Sequence, residues 1–446
     1  MSPGDPLLPG SSRVTGLRLS PGRRVAATVL RRVEREGAYA DRALAGEATR
    51  AGLDARERAF ATQLAYGVTQ RRRTLDHVIA TLTRRPAGQL DPPILDALRL
   101  GVLQLLFLDG VAPHAAVDQS VELAKGAGGP GFKLVNAVLR RAGREGRTIL
   151  DRLSDRTPHD AAIEHSVPDW LAELWWDALG PDEARALLAA VNEPAEASFR
   201  VNTLVATRDE VLEELTTREI AARPAPDLPE GILLDAQLDV AHDSLWRRGA
   251  ITAQSRAAMH VARLLDPTPG MRVLDLCAAP GGKATHLAAL IGGEGEVVAV
   301  ERNPRRAAQL RRTTERLRAG RIVRVETADA TEPRADGPFD AVLVDPPCSG
   351  LGTLQGRPDL RWRIDPQAIE ELATLQLRIL AAGAAAVRPG GALVYSTCTI
   401  SPRENEHLLD AFLAEHGGFE EESRRHLLPH RDGTDGFFLA RLRRTA

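Results

Sequence analysis

The sequence predicts a multidomain chain in three parts: an all-α N-terminal domain, a small α+β module, and a C-terminal α/β domain on a doubly wound sheet. Three observations carry this. The chain has 446 residues, more than one domain of ordinary size holds. Apolar residues keep helical spacing from Arg23 to about Gly143. From Ala250 onward short apolar runs alternate with amphipathic stretches, as in parallel strands joined by helices.

Taken in order, residues 1–20 are rich in Pro, Gly and Ser without periodicity and read as a flexible tail. The helical domain is expected over 21–145. Val25, Val29 and Val33 share a face, as do Phe60, Leu64 and Val68, and Leu98, Val102, Leu105 and Leu106 form a broader one. Pro86, Pro92, Pro93 and the glycines between Gly126 and Gly131 punctuate the helices. The middle module is expected over 146–249. It holds a short amphipathic helix around Trp170, Leu171, Leu174, Trp175 and Leu179, a strand over Ala197–Val201, a helix over Asp209–Leu215 and a loop over Pro224–Pro229. Trp175 and Trp176 read as core and interface residues rather than base-stacking ones. In the last domain, 250–446, strands are expected at Val273–Leu276, Val297–Val300, Ile322–Glu326, Ala341–Val344 and Leu393–Ser396. Helices are expected at Ala284–Ile291, Arg305–Arg318 and Gln367–Ala386, and Phe437–Ala440 reads as a late antiparallel strand.

Hydrophobic residues make up 43% and charged residues 26%, globular values that exclude a wholly disordered chain. No run approaches the roughly 18 uninterrupted apolar residues of a membrane helix, and Met1 to Ser20 lacks the apolar centre of a secretory leader. The three cysteines, Cys277, Cys348 and Cys398, are too few for a disulfide scaffold and form no Cys-x-x-Cys pair, so no metal site is expected. A soluble cytoplasmic chain with free thiols and no membrane partner is expected, and a monomer, since no coiled coil or repeat is evident. The net charge of −2 hides an asymmetry: residues 1–150 hold 23 Lys+Arg against 14 Asp+Glu, leaving 35 against 46 for the rest. A basic first third is the footprint of a polyanion-binding surface, although uneven charge in an arginine-rich chain would look the same. Lysine is almost absent, with only Lys125, Lys133 and Lys283.

Four motifs carry chemistry. Residues 273–283 read Val-Leu-Asp-Leu-Cys-Ala-Ala-Pro-Gly-Gly-Lys, a buried strand followed by a turn of small residues that opens a helix. Such a turn lets a ligand approach the backbone and meet free N–H groups, so it reads as a cofactor site; Cys277 within it reads as a small buried hydrophobe. Glu301 ends the next strand, where an acid can bind both hydroxyls of an adenosine ribose. Asp329 follows the third strand and either reaches an adenine amino group or caps its own loop. Asp345-Pro346-Pro347-Cys348-Ser349-Gly350 and Tyr395-Ser396-Thr397-Cys398-Thr399 end two consecutive strands, which should lie side by side and turn both thiols to one cleft at the carboxyl ends.

Two thiols and an acid in one cleft suit a specific problem. Carbon 5 of a pyrimidine is a poor nucleophile. A thiolate adding to carbon 6 makes the ring an enamine, and carbon 5 can then attack an electrophilic methyl. A carboxyl such as Asp345 can support ring nitrogen 3 as charge develops. The carbon 5 proton must then leave and the thiol be expelled, a step a second thiol can assist. Asp-Pro-Pro followed by an aromatic accompanies methyl transfer to exocyclic amines; Cys348 in its place argues for carbon chemistry. The residues alone leave open which cysteine attacks.

Together these motifs resemble the bacterial ribosomal RNA cytosine-C5 methyltransferases of the Sun (RsmB) type, over roughly residues 21–446. The helical region, with Arg23-Arg24-Val25-Ala26 and Pro113-His114-Ala115-Ala116-Val117-Asp118, is similar to the NusB-like RNA-binding domain. The resemblance implies a Rossmann-like methyltransferase domain. It implies S-adenosyl-L-methionine on Cys277, Ala278, Ala279, Pro280, Gly281, Gly282 and Lys283, with Glu301, Asp329 and Asp345 completing the pocket. It makes Cys398 the nucleophile, gives Cys348 to product release, and puts Lys283 beside Asp345 and the target base. The implied partner is 16S ribosomal RNA. Gln355-Gly356 and Gln254-Ser255-Arg256 depart from the family pattern in loops expected to face RNA, and Glu301 stands where Asp is commoner. Methylation of transfer RNA or another ribosomal cytosine, and a catalytically silent NusB-like adaptor, remain the alternatives.

Overall fold

The computed structural model describes residues 19–126, 128–235, 238–240 and 242–445. The tail expected over 1–20 therefore lies outside the described residues but for Leu19 and Ser20. The chain divides into two compact units, Met1–Ser154 and Asp155–Ala446.

The described part of the first unit is helical. Helices span Pro21–Arg35, Ala40–Arg50, Ala55–Thr83, Pro92–Leu106, Pro113–Lys125 and Phe132–Leu150. Prolines stand in the first turn of three of them, where no N–H is missed. Val25, Val29, Leu64, Val68, Leu98 and Val102 meet in one core, while Val33, Phe60, Leu105 and Leu106 lie at its margin. The last helix runs through residue 145, the expected boundary. Part of the basic charge is structural: Arg99 is buried and donates to both oxygens of Asp76 at 2.7 Å and to Glu34 at 2.6 Å.

The second unit holds two sheets. Strands β1 (Ser198–Val201), β2 (Ala222–Pro224), β3 (Gly231–Leu234) and β4 (Ile251–Ala253) form an antiparallel sheet in the order β2-β3-β1-β4. The loop expected over Pro224–Pro229 is shorter than its surroundings implied, because β2 reaches Pro224 and the apolar run Ile232-Leu233-Leu234 pairs with β1. The expected helix is present at Asp169–Leu179. Trp175 is fully buried there and donates from its indole to the Ile400 carbonyl at 3.0 Å, while the Arg185 guanidinium lies over Trp176.

The larger sheet contains β5 (Arg272–Leu276), β6 (Glu296–Val300), β7 (Val323–Glu326), β8 (Phe339–Val344), β9 (Val387–Thr397), β10 (Phe419–Leu427) and β11 (Phe437–Arg444), in the order β10-β11-β9-β8-β5-β6-β7. The five strands from β9 to β7 are parallel, and β11 and β10 close one edge antiparallel. The order reverses between β5 and β8, the place where ligands of such sheets bind. β10 escaped sequence reading because its run Glu420-Glu421-Glu422 looks solvated. It is an edge strand, and Glu422 there pairs with Arg441 and Arg443 of β11.

Candidate active site

The turn after β5 is built from backbone. Cys277 adopts a positive φ of 67°, Ala278 N–H bonds the Val300 carbonyl at 2.9 Å, and Gly281 has φ 110°. A side chain at Gly281 would stand 2.7 Å from Leu310. The helix Gly282–Leu290 follows with no side-chain cap, so its first N–H groups stay available. Arg306 donates to the Ala279 carbonyl at 2.8 Å from one side. From beneath, the buried Arg200 donates to Gln254 Oε1 at 2.8 Å, Thr285 Oγ at 2.9 Å and the Gly282 carbonyl at 3.3 Å. Burial pulls Arg200 down to about 9.

This corrects the expectation that the Gln254-Ser255-Arg256 departure faces RNA. Gln254 and Arg256 are both buried, and Arg256 donates to Glu196 at 2.6 Å. Gln355 is half-buried and donates its amide to the Ala190 carbonyl at 3.0 Å, while Gly356 beside it is exposed.

The acids line the same sheet end. Glu301 is buried directly after β6, with Oε1 accepting from Asn303 N–H at 2.7 Å and Oε2 3.4 Å from Arg306. Asp329 accepts from the Thr331 N–H and hydroxyl at 3.0 and 2.8 Å, the loop-capping arrangement, with its second oxygen 3.8 Å from Arg302. These Thr331 bonds hold its carboxyl below the usual range. Asp275, inside β5, was not singled out as a site residue. It is buried, and among the described residues neither carboxylate oxygen has a hydrogen-bond partner. Burial first, then Asp345, pushes its carboxyl well up. Burial, with the charges of Asp345, Asp275 and Glu301, pushes the Cys277 thiol up to about 12, which fits an inert, packed sulfur.

The two cysteine motifs meet. β8 and β9 are parallel neighbours, and Cys348 Sγ lies 3.3 Å from Cys398 Sγ. Both thiols are half-buried. The loop after Cys348 is clasped to the other motif: Gly352 N–H bonds the Cys398 carbonyl at 3.0 Å, and Gly436 N–H bonds the Gly352 carbonyl at 2.8 Å. A side chain at Gly352 would collide with the Gly436 carbonyl. Lys283 reaches from the cofactor turn to donate to Asp345 Oδ2 at 2.7 Å, and Ser396 donates to Oδ1 at 2.9 Å. Burial disfavours the Lys283 charge, but Asp345, with Cys398 and Asp275 adding, holds it above the ordinary lysine range. The ammonium also lies 5.4 Å from the centre of the Phe437 ring.

Sequence reading thus missed Ser396, Phe437 and a buried polar cluster around Glu404. Ser396 could have been found, since it shares the motif of Cys398. Glu404 could not, because nothing local ties it to the thiols.

The doubly wound sheet, the glycine turn and the acids at successive strand ends define a Rossmann-like methyltransferase domain. Residues 262–443 match the family described as 16S rRNA methyltransferase RsmB/F, residues 20–144 match the NusB family, and 167–241 match the ferredoxin-like domain of RsmF/B-like methyltransferases. The chain is 37% identical to "Probable ribosomal RNA small subunit methyltransferase B" of Synechocystis, across 95% of this chain and 99% of that one. It is 36% identical to "Ribosomal RNA small subunit methyltransferase B" of Thermus thermophilus, across 96% and 99%. The crystal structure of PH0851 superposes with TM-score 0.77 at 27% identity, covering 96% of this chain and all of that one. The chain belongs to the RsmB/F family of small-subunit ribosomal RNA methyltransferases, which use S-adenosyl-L-methionine. The residues present fit that cofactor: a small-residue cradle at the start of a helix, an acid at the end of β6, and the orphaned carboxyl of Asp275 beside the turn. Among the described residues no helix is long and apolar enough to cross a membrane.

Proposed function

We propose that this chain methylates carbon 5 of one cytosine in 16S ribosomal RNA through a covalent adduct, with Cys398 as nucleophile. The observation that carries the reading is the pair of sulfurs 3.3 Å apart at the ends of adjacent strands, beside an Asp345–Lys283 pair. One thiol would suffice for a structural or cofactor role; two facing each other suit a reaction that needs both attack and release.

The backbone of Cys277, Ala278, Ala279, Pro280, Gly281, Gly282 and Lys283 would hold S-adenosyl-L-methionine, with Glu301 at the ribose, Asp329 toward the adenine and Asp345 at the reacting end. Bound there, the cofactor supplies an electrophilic methyl group to carbon 5. The target base is flipped out, since carbon 6 is shielded while the base is stacked. Cys398 adds to carbon 6 as a thiolate. The proton that the Lys283 ammonium shares with Asp345 is offered to ring nitrogen 3 as negative charge builds there. After methylation Cys348 takes the carbon 5 proton, carbon 5–carbon 6 unsaturation returns, and the Cys398 thiolate leaves. The NusB-like region grips RNA phosphates, and that grip weakens with salt. The chain works as a cytoplasmic monomer.

The test is a map of 5-methylcytosine in ribosomal and transfer RNA from a deletion strain. Loss of one 16S site, restored by the wild-type gene, is the expected result. Loss at a transfer RNA site would overturn the substrate, and an unchanged map would overturn the activity.

A further inference from the structure

The proposed reaction asks each sulfur to reach its own atom of the target ring, Cys398 to carbon 6 and Cys348 to the proton on carbon 5. It does not ask the sulfurs to touch each other. Yet Cys348 Sγ and Cys398 Sγ lie 3.3 Å apart, in direct contact.

The surrounding frame fixes that contact. β8 and β9 are parallel neighbours. Past their ends, Gly352 N–H bonds the Cys398 carbonyl at 3.0 Å. The hydroxyls of Ser349 and Thr399, each next to a cysteine, are 2.6 Å apart. Two consecutive buried residues clamp both loops. Glu404 accepts from Ser349 N–H at 2.9 Å, while Asn405 accepts from the Thr397 hydroxyl at 2.6 Å and donates to the Thr399 carbonyl at 3.0 Å. The residues on both sides of Cys398 and the one after Cys348 are thereby held, and the sulfurs stay paired. Both thiols are only half-buried, so a small solute reaches them.

Two thiols held this way react with hydrogen peroxide in a defined order. One thiol attacks a peroxide oxygen: an S–O bond forms, the O–O bond breaks, and water leaves with the thiol proton. That sulfur is now a sulfenic acid. The second sulfur attacks it: the S–S bond forms, the S–O bond breaks, and a second water leaves. In sum, two thiols give two electrons to one peroxide, yielding one disulfide and two waters. A sulfenic acid with no thiol beside it goes on to sulfinic and sulfonic acids instead. The sulfurs need to close by only roughly 1 Å to bond.

We infer that Cys348 and Cys398 are also an oxidative modification site, at which hydrogen peroxide closes a reversible disulfide. The bridge occupies both the attacking and the releasing sulfur, so the methylation proposed above, on which this consequence rests, stops while it is closed. A thiol reductant reopens it by exchange. The third cysteine, Cys277, stays outside this chemistry, because it packs against the apolar core at the end of β5.

The test is read by mass and needs no RNA. Full-length reduced protein is exposed to hydrogen peroxide, the remaining thiols are capped with N-ethylmaleimide under denaturing conditions, and the peptides are mapped. The expected product is a cross-linked pair of peptides joined at Cys348 and Cys398, lighter than its halves by two hydrogens, with Cys277 capped. Dithiothreitol should return both thiols. In Cys348→Ala, Cys398 should pass instead to sulfinic acid that dithiothreitol does not recover. Wild-type Cys348 and Cys398 that stay free, or that overoxidise without a cross-link, overturn the inference, and that result depends on no variant folding. Methylation assayed in parallel should fall in proportion to the bridge and return on reduction; bridged protein that still methylates overturns the switch. A reduced protein that methylates no cytosine counts against the proposed reaction and leaves the bridge standing.

Discussion

Two ends of the same sheet edge are built differently. The backbone of the cofactor turn, after β5, is local: a left-handed Gly281, small residues and the start of one helix, all within Leu276–Lys283, with Arg200 and Arg306 holding it from outside. The cysteine end, after β8 and β9, is assembled from residues 50 apart, clasped by Gly352 and Gly436, and braced by Glu404 and Gln376. Lys283 spans the two, opening one and pairing with Asp345 in the other. Binding a cofactor needs one shaped surface. A two-step covalent reaction needs separate groups held to each other, and only long-range pairing of strands supplies that.

The sharpest way to break this comparison is to remove the group at its seam. Asp345→Asn should lower methylation by roughly 10²–10⁴-fold, without recovery at saturating S-adenosyl-L-methionine. Recovery would move Asp345 to the cofactor side. Gly281→Ala attacks the local end alone. With φ 110° and a new carbon 2.7 Å from Leu310, it should cost about 1–3 kcal/mol of stability and weaken cofactor binding more than tenfold by calorimetry. Iodoacetamide labelling of Cys348 and Cys398 should stay as in wild type, and a change in it would mean the two ends are not independent. Glu301→Gln should weaken cofactor binding about tenfold, or about 1.4 kcal/mol, with turnover at saturation little changed.

The smallest effect concerns the link to the middle module. His286 is buried with Nε2 2.6 Å from Glu230 Oε1, and Arg263 also pairs with Glu230. Burial, then Arg200, pulls His286 down to about 4, against the attraction of Glu230. Burial opposes the Glu230 charge, yet bonds to His286 and Arg263 hold that carboxyl below its usual range. An unfolded histidine, near 6.5, takes its proton before the folded one. His286 therefore stabilises the fold above that pH, and the contribution fades as pH falls toward 4; Glu230 adds a loss below the usual carboxylate range. The melting temperature should drop over that window, and His286→Gln should flatten its upper part. An unflattened curve would place the pH dependence elsewhere.

The sequence made the local end legible and the assembled end only partly so. Strands β5, β6, β8 and β9 announced themselves as apolar runs, and their parallel order followed from the helices between them. β3 and β10 did not, one for shortness and one because edge charges disguise a strand. Glu301 and Asp329 were visible as acids at strand ends, but only the structure shows Asp329 spending one oxygen on Thr331. That the two thiols share a cleft followed from topology. Their 3.3 Å contact and the carboxylate beneath them did not, because burial of Glu404 depends on a helix, Pro366–Ala386, distant in sequence. The departure at Gln254-Ser255-Arg256 misled for the same reason: polar residues in a loop look solvent-facing until buried partners claim them, as Arg200 claims Gln254 and Glu196 claims Arg256.

The central claim is that Cys398 attacks and Cys348 releases. Cys348→Ala, Cys398→Ala and wild type are each incubated with unmodified small-subunit ribosomal RNA and S-adenosyl-L-methionine, then run on a denaturing gel. The account predicts a protein–RNA adduct that accumulates with Cys348→Ala and is absent with Cys398→Ala, which also loses methylation. An adduct that forms with Cys398→Ala instead would contradict it and exchange the two roles.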